Sequence, residues 1–332
     1  MPEITFEKAK EFLEKINEKD NIAVVHHDDT DGFASGLMLY DWCKKKSAKV
    51  QQFTISLGDN QQKIIDKLKP FNKILFSDLA FLTEELLNSV KEKEVLSIDH
   101  HIKEEKMPEE ILDYRTESKI SASKSVYSMI YGRKWLEIVS ELADVGYSYP
   151  ENKVKIDRFA KEHGIAPEEV KEKFYFRIDL FLAYFHKDYN KAFEIFESIE
   201  DYNDLDNLDK YANEVQKELD HFMKDYENKR EKLGMVNYYY FEPKFPIKSR
   251  VTTNISFKHL NEVFVFAIPK GNKINISARN QSGDYDCSKI LKKATEGLKD
   301  SLAGGHSKAS GGIIFKEDLE KFKENLAKIT AQ

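Results

Sequence analysis

The stretch NIAVVHHDDTDGFASGLMLY, residues 21–40, decides the fold. Residues 21–26 are an apolar run ending in histidine, the pattern of a strand buried on both faces. Gly32 then turns the chain, and FASGLMLYDWCKKK (33–46) carries helical spacing. Between them lies HHDDTDG, in which His27, Asp29 and Asp31 alternate. Alternate side chains of an extended segment leave on one side, so these three can converge.

Working outward, the same alternation repeats. KVQQFTI (49–55), KILFS (73–77) and EVLSI (94–98) have the length and β-branched content of strands. NQQKIIDKLK (60–69) and TEELLNSVKE (83–92) between them have the helical period. Short apolar strands alternating with helices predict an α/β fold with a mostly parallel, doubly wound sheet. Residues 151–232 change character: VKEKFYFRIDLFLAYF (170–185) and residues 208–232 are helical and rich in charge and aromatics. Phe174, Phe176, Phe181, Tyr184 and Phe185 fall at the spacing of a helix-packing core; a base-stacking platform is the alternative. From about 235 strands return in MVNYYYFE, EVFVFAI and KINISAR. A helix (287–299), a glycine-rich turn AGGHSKASGG (303–312), a short strand and a last helix (317–329) complete a small α+β domain. The expected division is a catalytic domain at 1–200, with a helical extension from about 151, a helical linker at 201–234 and a substrate-binding domain at 235–332.

Composition narrows the class. Hydrophobic residues make up 41 % of the 332 and charged residues 33 %, which suits a soluble chain with real cores. A net charge of −6 argues against a broadly basic nucleic-acid coat while leaving room for a local basic channel. Cys43 and Cys287 are far apart and lack metal-ligand spacing, so they read as reduced thiols. The N-terminal segment is amphipathic, without the apolar core of a secretory signal, and no run is long enough to span a membrane. The expected location is the cytoplasm.

The strong polar signals of the first domain lie at the C-terminal ends of predicted strands, where open α/β sheets place ligands. The first strand ends in His27, Asp29 and Asp31; KILFS ends in Asp78; EVLSI ends in Asp99, His100 and His101. Asp144 follows a helical stretch at 134–142. Mixed imidazole and carboxylate ligands suit Mn²⁺ or a similar divalent ion, and a pair of ions sharing a carboxylate would activate water and stabilise phosphoryl charge. A single strand-end aspartate is usually a cap or turn residue; the joint occurrence at successive strand ends points to chemistry. In the second domain the glycines allow close approach to an anion, His306 and Lys308 could contact phosphate, and Arg279 could clamp it through two hydrogen bonds.

On these residues the chain resembles the DHH phosphoesterase superfamily, specifically its RecJ-like branch in compact archaeal-type form. HxDxDG (27–32), Asp78, Asp99-His100-His101 and Asp144 are similar to the four motifs of its catalytic domain, and GGHSKASG (304–311), preceded by Arg279, to its DHH-associated C-terminal domain. The resemblance implies a site between the two domains holding two Mn²⁺, with Mg²⁺ or Co²⁺ as substitutes. It implies that His27 and Asp29 bind one ion, that Asp31, His100 and Asp144 bind the other, and that Asp78 bridges them. His101 would sit near the phosphate and Asp99 would orient a histidine. Arg279, Gly304, Gly305 and His306 would hold the terminal nucleotide. His26 duplicates the first histidine and competes with His27 for its role, and Ala303 stands where the family usually has a third glycine.

The implied activity is Mn-dependent release of mononucleotides from single-stranded DNA, RNA or short oligonucleotides. The alternatives are a phosphodiesterase or phosphatase of small nucleotides, such as cyclic dinucleotides or 3′-phosphoadenosine 5′-phosphate, and a scaffold in a replication complex. A replication or repair complex is the possible macromolecular partner, and no membrane association is expected.

Overall fold

The computed structural model describes residues 4–101 and 107–329. The chain forms two compact units, Met1–Ala212 and Asn213–Gln332. The outer limits of the expected domains, residues 1 and 332, lie outside the described residues.

The first unit runs α1 (Phe6–Glu14), β1 (Asn21–His27), α2 (Thr30–Lys45), β2 (Lys49–Ile55), α3 (Gln62–Leu68), β3 (Lys73–Ser77), α4 (Glu84–Val90), β4 (Glu94–Asp99), β5 (Leu112–Arg115), α5 (Ala122–Ile130) and α6 (Lys134–Leu142). Helices α7 (Pro150–His163), α8 (Pro167–Val170), α9 (Arg177–Tyr184) and α10 (Tyr189–Glu197) follow, and α11 (Asp209–Lys229) carries the chain into the second unit. The strands form one sheet in the order β2-β1-β3-β4-β5, with every neighbouring pair parallel.

Both faces of this sheet are covered, and the sequence of β1 shows why. Ile22 and Val24 enter one apolar cluster with Leu75, Leu96 and Ile98, whereas Ala23 and Val25 enter a second with Ile74, Phe76 and Val95. Successive side chains leave opposite faces of a strand, so an apolar run must be buried on both. Each fully buried aliphatic side chain contributes about 1.5–3 kcal/mol. From β1 the chain crosses to β2 on one side and then returns to β3 on the other. The C-terminal ends of β1 and β3 therefore flank the crevice at which such sheets bind ligands.

Helix α2 lies close against β1. A Cβ on Gly36 would stand 2.5 Å from His26 Cδ2, and one on Gly32 would stand 2.4 Å from the His27 carbonyl oxygen. Glycine is demanded at both positions by this close approach. The helix starts at Thr30, earlier than its apolar spacing indicates, because the Asp29 side chain caps it by accepting from the Gly32 N–H.

The aromatic stripe of the helical region packs inward. Phe174 and Phe181 are buried in the first unit's core, Phe174 meets Phe159 edge-on, and Phe181 and Phe185 pack on Tyr211. Helix packing is the role these contacts give it.

The second unit contains β6 (Glu231–Leu233), β7 (Val236–Tyr240), α12 (Lys248–Lys258), β8 (Val263–Lys270), β9 (Lys273–Arg279), α13 (Cys287–Ala294), β10 (Leu302–Gly305), β11 (Ala309–Phe315) and α14 (Leu319–Ala327). Its sheet has the order β10-β11-β9-β8-β7-β6, antiparallel except for the β7–β8 pair. The glycine-rich stretch expected to be a turn is instead mostly strand: β10 and β11 pair Gly304 with Gly311 and Gly305 with Ser310. Glycine weakens a strand but does not forbid one, and pairing of β11 with β9 supplies the missing support. Cys43 and Cys287 are buried free thiols. Among the described residues no helix is long and apolar enough to cross a membrane.

Gly36→Ala is expected to cost about 1–3 kcal/mol of stability through overpacking against His26. Urea unfolding with an unchanged m-value is the measurement.

Candidate metal centre

The end of β1 and the cap of α2 deliver the first group. His27 Nδ1 lies 2.8 Å from Asp29 Oδ2 and 3.5 Å from Asp78 Oδ2. His26 points the other way: it is fully buried, packs edge-on to Phe33 and donates from Nδ1 to the His27 carbonyl. The strand's alternation thus places His27, and not His26, among the carboxylates.

Asp78 stands immediately after β3, is buried, and adopts φ 61°, a left-handed conformation that aspartate tolerates better than most residues. Its Oδ1 faces the other direction from Oδ2, 3.5 Å from His100 Nε2 and 3.6 Å from His101 Nδ1. Asp144, in the short turn after α6, is also left-handed with φ 47°, and its Oδ2 lies 3.0 Å from His100 Nε2. Asp31 Oδ2 is 3.8 Å from that nitrogen. Asp31 also accepts the backbone N–H groups of Ala122 and Ser123 at 2.7 and 2.8 Å, so it ties the centre to the N-terminus of α5.

Asp99 is held by donors on both oxygens. Oδ1 accepts from the His100 and His101 backbone N–H groups and, at 2.7 Å, from His101 Nδ1, while Oδ2 pairs with Arg115. Burial alone would raise this carboxyl; the His101 hydrogen bond and the Arg115 charge reverse that and hold it well below the ordinary carboxylate range. Asp99 therefore orients His101. Arg115 escaped the sequence reading. Its signal is weak: a single arginine at the end of β5, a four-residue strand that the apolar pattern did not reveal. Its side chain is only 7 % exposed and also holds Asp113.

The donor chemistry fits divalent cations. Among the described residues, both Asp78 oxygens, His100 Nε2 and Asp144 Oδ2 are buried without a hydrogen-bond partner. Buried polar atoms left in that state are costly, and anionic oxygens most of all. Among the described residues, three sets of side chains bring one candidate ligand atom each within 4.8 Å of one another: His27, Asp29 and Asp78; Asp31, Asp78, His100 and Asp144; and Asp78, Asp99, His100 and His101. Asp78 belongs to all three. Burial alone would lower His27 and His100, but the nearby carboxylates, Asp29 and Asp78 on one and Asp144 and Asp78 on the other, raise each to about 11. Burial, then the charges of Asp144 and Asp29, push Asp31 up to about 7. Burial, then Asp29 and Asp31, push Asp78 well above the ordinary carboxylate value.

In the second unit the expected anion-contacting residues gather at one hairpin. Arg279 ends β9 directly opposite Ala309, the first residue of β11. The tip is closed by His306 N–H donating to the Ala309 carbonyl at 2.9 Å, with Lys308 in the turn between them. Gly305 has φ 129° and sits where a Cβ would lie 2.8 Å from Ser310 Cα, whereas Gly304 faces open space. Arg279 is half-buried, donates to the Ala278 carbonyl and has no carboxylate partner among the described residues. His306 and both glycines are exposed.

Known proteins bear on this arrangement in two ways. The DHH family, N-terminal domain, matches residues 21–148, and the DHHA1 domain matches residues 248–332. The chain therefore carries a DHH-family N-terminal domain and a C-terminal DHHA1 domain. A crystal structure of exonuclease RecJ bound to manganese superposes with a TM-score of 0.72 at 16 % identity, covering 98 % of this chain and 94 % of that one. RecJ from Thermus thermophilus in complex with Mn²⁺ gives 0.70 at 16 % identity, covering 98 % of this chain and 55 % of that one. A pGpG-specific phosphodiesterase from Vibrio cholerae gives 0.50 at 11 % identity, covering 92 % and 97 %. At such identities the likeness is one of fold. No curated protein sequence matches significantly.

Replacing Arg115 by methionine strands the buried Asp99 carboxylate, and a loss of about 3–5 kcal/mol is expected in chemical unfolding. Metal affinity should climb with pH. His27 and His100 are protonated at neutral pH in the metal-free protein, and only the deprotonated rings ligate, so each bound ion must displace protons. Calorimetric titration with Mn²⁺ between about pH 6 and 8 should show affinity rising about tenfold per pH unit for each proton released.

Proposed function

We propose that the chain is a two-metal phosphodiesterase that trims single-stranded nucleic acid or short oligonucleotides to mononucleotides. The observation that carries the metal half is Asp78: a buried carboxylate with no side-chain hydrogen-bond partner among the described residues, one oxygen toward His27 and the other toward His100 and His101. A carboxylate so placed serves two cations.

In this reading His27, Asp29 and Asp78 hold one Mn²⁺, and Asp31, Asp78, His100 and Asp144 hold the other; Mg²⁺ or Co²⁺ can substitute. Bound ions supply Lewis acidity for the phosphoryl oxygens and a water acidic enough to attack. Asp99, fixed by Arg115, holds His101 through Nδ1 and leaves Nε2 to contact the phosphate or the departing oxygen. Arg279, Gly304, Gly305, His306 and Lys308 hold the substrate's terminal nucleotide by its phosphate: the guanidinium can form paired hydrogen bonds, and the glycines leave the backbone open. Catalysis is assigned to residues 1–200 and substrate capture to 235–332, joined by 201–234. The cytoplasm is the proposed location, and a replication or repair assembly the proposed setting.

The test is product analysis. With Mn²⁺, 5′- and 3′-labelled single strands of DNA and RNA should yield mononucleotides, and competition by pGpG-like dinucleotides or 3′-phosphoadenosine 5′-phosphate ranks small substrates against polymers. Intact strands and intact di- to pentanucleotides would refute the assignment. Asp78→Asn should reduce kcat by on the order of 10³ or more while the far-ultraviolet circular dichroism stays unchanged.

A further inference from the structure

The helical region that follows α6 matches no catalytic motif, yet one of its side chains grips the turn that carries Asp144. That turn, Ala143–Ser148, is a short 3₁₀ segment. Asn152, in the first turn of α7, is 2 % exposed. Its Nδ2 donates to the Glu141 carbonyl at 3.3 Å and to the Gly146 carbonyl at 3.1 Å. One of these carbonyls precedes Asp144 in the chain and the other follows it, so a single amide ties the backbone on both sides of the residue. Gly146 completes the fit: a Cβ there would stand 2.4 Å from the Glu141 carbonyl oxygen and 3.0 Å from Asn152 Nδ2.

The amide is itself oriented. Asn152 Oδ1 accepts from Lys124 Nζ, which also pairs with Glu141 Oε2 at 2.8 Å. Glu141 is buried and takes Lys155 on its other carboxylate oxygen. Lys124 belongs to α5, whose first two residues, Ala122 and Ser123, hold Asp31 through their N–H groups. The cap of that helix, Ser121, donates to the Ser140 carbonyl at 3.1 Å. One helix end therefore supports both Asp31 and the turn of Asp144.

We infer that Asn152, oriented by Lys124, is the positioning residue that holds Asp144 toward the second cation, an inference resting on the metal centre proposed above. Asp144 has φ 47°, and a residue other than glycine stays in that region only where its surroundings over-determine it. An ammonium only donates and a carbonyl only accepts, so Lys124 on Oδ1 leaves Nδ2 to the two carbonyls. Tyr147, in the same turn, is held as well: Lys171 Nζ stands 3.8 Å from its ring centroid, and Tyr175 packs on it edge-on. The network grips Asp31 and Asp144, whereas His27 and Asp29 take no hydrogen bond from it among the described residues. The helical extension thereby supports one set of candidate ligands and not the other.

The experiment uses the full chain and reads metal binding, not turnover. Free Mn²⁺, followed by its electron paramagnetic resonance signal during titration, should show two ions bound by the wild type. Asn152→Leu matches the amide in shape and removes its hydrogen bonds without adding charge. It should weaken one ion about ten- to a hundredfold and leave the other unchanged. Lys124→Met, which spares the amide donors and leaves Lys155 on Glu141, should weaken the same ion by a smaller factor, and it carries the test if Asn152→Leu does not fold. Asp144→Ala should also weaken that ion, and adding Asn152→Leu to it should bring little further loss, because Asn152 acts through Asp144. Wild-type affinity for both ions in Lys124→Met and in folded Asn152→Leu, equal weakening of both ions, or fully additive losses in the double variant overturns the inference and leaves the metal centre standing. A wild type that binds fewer than two Mn²⁺ overturns the metal centre as well.

Discussion

Carboxylates crowded at one end of a parallel sheet repel one another, and that repulsion organises the first unit. Asp29 and Asp31 on one segment, Asp78 on a second and Asp144 on a third meet around Asp78, which is buried without a side-chain hydrogen-bond partner among the described residues. In water each would be solvated separately. Here the fold holds them together and the compensation comes from histidines: His27 and His100 retain protons far above their usual range. Such a cluster of carboxylates and imidazoles has the donor types that divalent cations take.

The surrounding structure holds those side chains still. Gly32 and Gly36 let α2 approach β1 until no Cβ fits, which brings the Asp29 cap and the buried Asp31 beside the strand end. Asp31 in turn ties the N-terminus of α5 to the centre. Asp78 and Asp144 accept left-handed backbone conformations, a cost of order ~1–3 kcal/mol each that aspartate bears better than a branched residue would. Arg115 pairs with Asp99, and Asp99 aims His101. Backbone strain and buried ion pairs thus cluster around one locus, where directional precision offsets their energetic cost.

Much of this was legible in the chain. The apolar run of β1 and its echoes at 49–55, 73–77 and 94–98 made a parallel sheet the natural reading, because only a strand covered on both faces can bury such runs. The strand-end position of His27, Asp78 and His100 followed from the same segmentation. Less legible were β5 and α12, whose residues are only partly apolar, and the strands β10 and β11, whose glycines look like turn residues until a neighbouring strand pairs with them. Arg115 was invisible for a different reason: an isolated charged residue has no periodicity and gains meaning only from what stands across from it.

By itself, then, the sequence determined the alternation of strands and helices and the type of side chain each strand end carries; Asp31, expected on the extended segment, instead lies in the first turn of α2. These are local properties, set by side-chain period and by the hydrophobicity of segments a few residues long. Only the tertiary structure decided which histidine faces the carboxylates, that Asp78 divides its two oxygens between two groups, and that residues as far apart as Asp28 and Tyr189 meet. Those outcomes depend on distances between segments remote in the chain, and such distances are fixed by packing of the whole core.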